Sequence, residues 1–410
     1  MLIQFSFENY RSFKKPTTFS MLASSGKENL DNTFESCGGR LLRSAAVFGA
    51  NAAGKSNLMK AFVASIMILR LSTTRQVGEP IPYVDCFIFD SESKETDICF
   101  EYEFIANRKR YIYGFSCNNR TITEEHLLVY NSQKPSTIFK RIKDGYQFTE
   151  LKYKQELFVL SERNTSNKLF LATATSWNAR STRDAYLWFA RCIDVYDYSL
   201  SPMPFLEDYE SDMDGSLRTF TKNLLKECDI NISDYSVESR IESGQASNVY
   251  GFGVAEGLPV KRKTFSVNAS HEITIGTEKN IYTLPMREES MGTQRLFLLS
   301  PQIKKALDNG YVFCVDELDS SLHPSLVLYL VGLFNDPEVN RKNAQLILTT
   351  HTTELLSIDI MRRDQLYFVD KENANGISEL YSLDDYSVRK REDVRKAYLN
   401  GRFGAIPNIV

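Results

Sequence analysis

Neither a disulfide framework nor a zinc site is suggested by what this 410-residue sequence offers. Its seven cysteines, Cys37, Cys86, Cys99, Cys117, Cys192, Cys228 and Cys314, include no CxxC pair, and there are only four histidines. Scattered free thiols suit a reducing compartment. Long apolar runs are also missing: the longest, Leu58 to Leu71, is broken by Lys60 and Arg70 and is too short to span a bilayer. The amino-terminal stretch lacks the basic region and apolar run of a signal peptide. The sequence therefore reads as soluble and cytoplasmic, with no membrane partner. Internal repeats and low-complexity tracts are absent. A net charge of −3 argues neither for nor against nucleic acid. The short basic clusters at Arg108 to Arg110, Lys261 to Lys263 and Arg389 to Arg391 read as solvated loops. Sustained heptads are missing from 151–245, where Pro202 and Pro204 interrupt the pattern, so a long coiled coil is excluded.

What is present is ordinary globular material, 42% apolar and 25% charged, in a chain long enough to bury a core without staples. Its length suits two domains, or one large domain with an insertion. Residues 1–8 alternate, with Ile3, Phe5 and Phe7 on one face of a strand. Ser44 to Phe48 is a short apolar run, a buried strand ending in Gly49. From Lys55 the period becomes helical, with Leu58, Phe62, Ile66 and Leu69 on one face. Residues 83–150 read as antiparallel strands with turns at Asn118-Asn119 and Asp144-Gly145. Residues 151–245 look mostly helical, and 246–285 return to strand. Beyond them helix and strand alternate: a helix from Gly292 that Pro301 should kink or break, buried strands at Tyr311 to Val315, Gln345 to Thr349 and Gln365 to Val369, and a helix opened by Pro324.

Gly49-Ala50-Asn51-Ala52-Ala53-Gly54-Lys55-Ser56 fits G-x-x-x-x-G-K-[ST], between an apolar strand and an amphipathic helix. The spacing has a chemical reason. Glycines let the backbone wrap a phosphate, so that successive amides form an anion nest at a helix N-terminus. Lys55 can reach the β- and γ-phosphates, and the Ser56 hydroxyl can bind magnesium. Gly49 through Asn57 are assigned to the nucleotide. The competing reading, a chance glycine-rich turn, does not account for the strand and helix on either side.

Val312 to Val315 followed by Asp316-Glu317 reads as a buried strand carrying a magnesium-holding carboxylate to its end. Glu317 is next to it, placed to orient or deprotonate a water. Strand ends of this kind are common, but a second strand leads to Thr349-Thr350-His351, and a histidine there can hydrogen-bond a γ-phosphate oxygen. A third segment, Glu289-Ser290-Met291-Gly292-Thr293-Gln294-Arg295, opens a helix with a Ser and a Gly. On its own it is an N-cap or a phosphate grip.

Taken in order, these elements resemble the ABC ATPase superfamily. Glu8-Asn9-Tyr10-Arg11-Ser12-Phe13 resembles the opening strand motif of its SMC and RecF-like branch. ESMGTQR, VDELDSSLHP, TTH and AYLNGRFGAIPNI look like the AAA-family ATPases of bacterial abortive-infection and phage-resistance systems. The resemblance covers the two ends of the chain and leaves the middle weakly matched. It implies an α/β fold: a two-lobed ABC-type P-loop ATPase head, with a mixed sheet, flanking helices and an antiparallel β lobe, carrying a mostly helical insertion. The head would comprise 1–150 and 246–410, and the insertion 151–245. It further implies ATP and Mg2+ as ligands and Glu317, His351 and Lys55 as catalytic residues, with the metal on Ser56 and Asp316. A homodimer would close on ATP, with Ser290, Gly292 and Gln294 of one copy on the nucleotide of another. Asp319 would lie at that interface and Arg11 near the nucleotide. The signature departs from LSGGQ, with Glu289 for Leu and Thr293 for the second Gly. The one candidate for a Q-loop glutamine is Gln76, whose surroundings fit poorly.

Related OLD-type nucleases continue into a Toprim domain, but only 59 residues follow His351 here, fewer than a usual domain needs. Asp384-Asp385 in that tail reads as a solvated turn before it reads as a metal pair. The expectation is an ATPase that governs a separately encoded effector, a nuclease or toxin. The alternatives are a RecF-type ATPase that clamps DNA in repair and a scaffold whose nucleotide is structural.

Overall fold

The computed structural model describes residues 1–149, 151–196, 203–245, 259–386 and 393–406. The chain divides into two compact units. The first comprises 1–197, 306–319 and 327–410, and the second 198–305 and 320–326. Residues 151–245 contribute to both.

In the first unit two sheets carry the architecture. One has the strand order β11-β15-β16-β5-β17-β18, with β5 Ser44–Phe48, β11 Ile193–Tyr196, β15 Val312–Val315, β16 Gln345–Thr349, β17 Leu366–Glu372 and β18 Ile377–Ser382. β11, β15, β16, β5 and β17 run parallel, and β18 closes the edge antiparallel to β17. Every residue of β5, β15 and β16 is buried, the polar Ser44, Gln345 and Thr349 at the strand ends included, as a covered parallel sheet requires.

The second sheet is antiparallel, β10-β9-β8-β7-β6-β1-β2. It is built from β1 Leu2–Glu8, β2 Thr17–Ser20, β6 Ile98–Ala106, β7 Lys109–Cys117, β8 Ile122–Tyr130, β9 Pro135–Ile142 and β10 Gly145–Gln147. A small ribbon joins β3 Thr33–Ser36 to β4 Gly39–Leu42. Helix α1, Lys55–Arg70, buries the predicted face, Leu58, Phe62, Ile66 and Leu69. Phe62 packs 4.2 Å from Phe5 of β1 between ring centres, and Ser65 Oγ lies 2.7 Å from Tyr102 Oη of β6. Each such fully buried apolar side chain contributes about 1.5–3 kcal/mol. Gln345 joins the two sheets: its Oε1 accepts the Leu2 amide at 2.6 Å, and its Nε2 donates to the Leu2 and Leu42 carbonyls at 3.0 and 3.1 Å. The remaining elements of this unit are α2 Ser91–Glu95, α3 Leu151–Ser161, α4 Phe170–Ser176, α5 Arg180–Arg191 and α10 Val394–Leu399.

The second unit contains α6 Met203–Glu210, α7 Ser216–Glu227 and an antiparallel sheet of β12 Asp234–Gln245, β13 Pro259–Ile275 and β14 Glu278–Pro285. Helix α8, Met291–Asn309, belongs to it up to Lys305, and α9, Pro324–Asn335, belongs to the first unit from Val327 onward. Pro301 neither breaks nor ends α8. A proline there leaves the carbonyl of Phe297 without its helical donor. The Tyr209 hydroxyl donates to that carbonyl at 2.6 Å, and its ring stacks on Phe297 at 4.4 Å.

Candidate nucleotide-binding site

The loop after β5 is tight and glycine-dependent. Gly54 has φ 126°, and a side-chain carbon on it would lie 2.6 Å from Ser378 Oγ. One on Gly49 would lie 2.4 Å from the Val369 carbonyl. No side chain caps α1 at Gly54, so its first amides, with the helix dipole behind them, suit an anion. Ala52 adopts the left-handed region at φ 63°. Lys55 is buried and bends back over the loop, donating to the carbonyls of Gly49 at 2.8 Å and Ala50 at 3.1 Å. Burial lowers its affinity for a proton, while the carboxylates of Glu317, Asp316 and Asp319 oppose that effect.

The sheet order explains how those carboxylates come near. β16 lies between β5 and β15 and all three run parallel, so their C-terminal ends share one edge. At about 4.8 Å per strand step, Asp316 stands about 10 Å sideways from Gly49, with the His351 loop between them. Glu317 is exposed at φ 49°. Thr349 links the two acids, its hydroxyl donating to Asp316 Oδ1 at 2.6 Å and accepting the Glu317 amide at 2.7 Å. The His351 amide donates to Asp319 Oδ2 at 2.8 Å. Desolvation and then the Lys55 ammonium push the His351 imidazole below its usual pKa, against the pull of Asp319 and Glu317. The neutral ring is therefore the dominant form at pH 7. Lys55, Asp316, Glu317, Asp319 and His351 form one electrostatic cluster.

The amino-terminal motif adjoins the loop. Asn9 to Phe13 make a tight turn, with the Tyr10 and Phe13 amides and carbonyls paired at 2.8 and 2.9 Å. Asn57 donates to Ser12 Oγ at 2.8 Å, and Ser378 Oγ lies 2.8 Å from the same oxygen and 2.6 Å from the Ala53 carbonyl. The Asn57 amide thus braces the loop against the turn. Arg11, at φ 51°, is held by Asp85: its amide donates to the Asp85 carbonyl at 2.8 Å and its guanidinium to Asp85 Oδ2 at 2.5 Å. Gln76 is elsewhere. It lies in a turn past the far end of α1, about 24 Å along the axis from the loop, with its amide on Glu79 and its carbonyl accepting from Asn167.

In the second unit, Ser290 Oγ accepts the Thr293 amide at 3.1 Å, and its carbonyl accepts the Gln294 amide at 3.0 Å. Ser290 is exposed and Thr293 buried. A side-chain carbon on Gly292 would meet the Ser321 carbonyl at 2.6 Å. Both departures from the consensus are used. Thr293 Oγ1 lies 2.8 Å from Ser290 Oγ, and Glu289 Oε1 lies 2.9 Å from His271 Nε2. Gln294 Nε2 turns back to the Glu289 carbonyl at 2.8 Å.

Residues 44–357 match the sequence model of a family described as "AAA domain, putative AbiEii toxin, Type IV TA system". The chain belongs to this AAA family. No curated protein sequence matches it. Among solved structures the AAA protein is similar to an SMC head bound to the C-terminal winged-helix domain of ScpA, at 12% identity, covering 93% of this chain and 97% of that one, TM-score 0.43. It is also similar to the SMC head domain of Thermotoga maritima, at 13% identity, 94% and 99% coverage, TM-score 0.39. A third likeness is to the Pyrococcus furiosus SMC head with an extended coiled coil, bound to the C-terminal domain of ScpA, at 12% identity, 98% coverage of each chain, TM-score 0.37.

The donor chemistry of the AAA protein fits magnesium. A hydroxyl, Ser56, and a carboxylate, Asp316, are hard oxygen ligands that leave places for water and phosphate, and Asp316 is oriented by Thr349. Among the described residues no group of three or more His, Cys, Asp or Glu is placed to hold a metal by itself. Asp384 and Asp385 close a short turn on Ser382, whose hydroxyl accepts the Asp384 amide at 3.1 Å. Of the basic clusters, Arg110 pairs with Glu103 and lies over Tyr130, and Lys263 pairs with Glu210. Arg389 to Arg391 and Pro407 to Ile409 fall outside the described residues. No described helix is long and apolar enough to cross a membrane. Sequence reasoning passed over two residues of the site. Thr349 left a signal, as a hydroxyl directly after the apolar run Leu346 to Leu348. Ser378 left none, because only its burial against Ala53 and Gly54 reveals it.

Proposed function

We propose that this AAA protein binds ATP with magnesium at Gly49 to Asn57, hydrolyses it, and closes as a homodimer around it to control a separately encoded effector in an anti-phage system. The observation that carries the reading is the meeting of an uncapped, glycine-bound helix N-terminus with Lys55, two acids and a histidine at one sheet edge. Lys55 leaves the Gly49 and Ala50 carbonyls to hold β- and γ-phosphate oxygens. Ser56 and Asp316 hold the magnesium, which when bound neutralises phosphate charge. Glu317 takes a proton from the attacking water, and His351 donates a hydrogen bond to a γ-phosphate oxygen. Arg11 reaches the nucleotide by exchanging its Asp85 partner for it. Ser290, Gly292 and Gln294 of a second copy close the site from the opposite face. The control of an effector is supported by the family's association with a toxin–antitoxin system.

Turnover by the purified chain, compared with Lys55→Ala and Glu317→Gln, tests the enzymatic part. A wild type without turnover and without a nucleotide-induced rise in melting temperature would sink it. Sedimentation with and without ATP tests dimerisation. Phage plating on a native host carrying Lys55→Ala tests the defence role, and unchanged phage sensitivity rules that role out. ATP-dependent DNA binding that falls steeply with salt would favour the repair alternative instead.

A further inference from the structure

Three consecutive residues at the acidic strand end fasten to one residue of the neighbouring strand. Thr349 is the last residue of β16, is fully buried, and pairs with Val47 of β5. Its hydroxyl donates to Asp316 Oδ1 and accepts the Glu317 amide, and its carbonyl accepts the Leu318 amide at 3.0 Å. A hydroxyl carries one proton. Because the Glu317 amide can only donate, the proton of Thr349 belongs to Asp316, and the direction of both bonds is set. Glu317 sits at φ 49°, a conformation side-chain-bearing residues seldom adopt, and the bonds from its amide and the next one to Thr349 hold it there.

We propose that Thr349 is a positioning residue that ties the metal-holding carboxylate to the catalytic base, so that magnesium on Asp316 also fixes the aim of Glu317. This rests on the hydrolytic reading above. Valine has the shape of threonine but neither donates nor accepts, so Thr349→Val leaves Asp316 Oδ1 and the Glu317 amide each without this partner. Serine keeps both bonds. Partners of this kind, one step behind a metal ligand, are worth about 10–100-fold in metal affinity or activity.

The experiment compares wild type, Thr349→Val, Thr349→Ala and Thr349→Ser for kcat, KM for ATP and the Mg2+ concentration at half-maximal rate. The rise in melting temperature with ATP plus Mg2+ and with ATP plus EDTA is measured alongside. The expected result is a loss of about 10–100-fold in kcat and a matching increase in half-saturating Mg2+ for Thr349→Val. KM should change little, the melting shift with ATP plus EDTA should be unaltered, and the extra shift from Mg2+ should be lost. Thr349→Ser should restore each quantity. If Thr349→Val does not fold, Thr349→Ala carries the same comparison with serine. A Mg2+ dependence in Thr349→Val equal to wild type, or a loss shared equally by Thr349→Ser, overturns the proposal. A wild type that neither turns over ATP nor gains stability from it overturns the hydrolytic reading instead.

Discussion

Two helices of this chain start on glycine-bearing turns and complete their first turns in opposite ways. Helix α1 begins behind Gly54 with no side chain on its amides. Helix α8 begins behind Ser290, whose hydroxyl satisfies the Thr293 amide within the chain. Glycine has different work in the two places. At Gly54 it supplies a left-handed backbone and room for Ser378, while at Gly292 it lets the helix start approach the Ser321 carbonyl. A phosphate needs amides that nothing else occupies, and α1 starts without a side-chain cap, as the proposed nucleotide site requires. Helix α8 has its Thr293 and Gln294 amides taken by Ser290 and presents an exposed Ser290. The comparison teaches that glycine beside a helix start does not identify an anion site, and that what already occupies the first amides is the more telling feature.

The comparison can be sharpened first at the chemistry served by α1. Glu317→Gln should lower turnover by about 10²–10⁴-fold while leaving ATP affinity within a few-fold, read from single-turnover rates beside equilibrium binding. A parallel loss of affinity would mean that Glu317 belongs to the cradle. Next, Lys55→Ala should weaken ATP binding by about 100-fold, the worth of one to two charge-assisted hydrogen bonds, measured calorimetrically. Unchanged affinity would remove α1 as the anion site. At the other helix, Gly292→Val forces a carbon against the Ser321 carbonyl and should cost about 1–3 kcal/mol of stability. Denaturant melts would show this, and ATP affinity of the single copy should be unaffected. The smallest effect is expected for Ser290→Ala, about 1 kcal/mol from the lost cap. ATP-dependent dimerisation should then weaken further than that stability loss explains, and sedimentation would show whether it does.

The parts of the site that depend on local chemistry were legible in the sequence. The loop at Gly49, helix α1 and its Leu58, Phe62, Ile66 and Leu69 face, and the strands at Val312, Gln345 and Leu366 all announce themselves by spacing and period. What stayed hidden depends on partners far along the chain. Pro301 read as a residue that kinks or breaks its helix, because Tyr209, which takes over the carbonyl of Phe297, lies 88 positions upstream of Phe297. Ile193 to Tyr196 disappeared into a helical stretch because four residues carry little period, yet they complete the parallel sheet beside β15. Arg11 was legible as a residue near the loop, but its clasp by Asp85 was not. Gln76 was the nearest glutamine in sequence, and a rigid helix carries it away from the phosphates.

The strand order has a consequence for how the protein is made. β5, which leads into the phosphate loop, finds its sheet neighbours only in β16 and β17. A ribosome adding about 5–20 residues per second takes about 15–60 s to travel from the first to the last of these strands. For that interval the loop has its sequence but no sheet to hold it. A chain interrupted before Leu366 should therefore emerge with β5 missing one of its two sheet neighbours and the loop unsupported on that side.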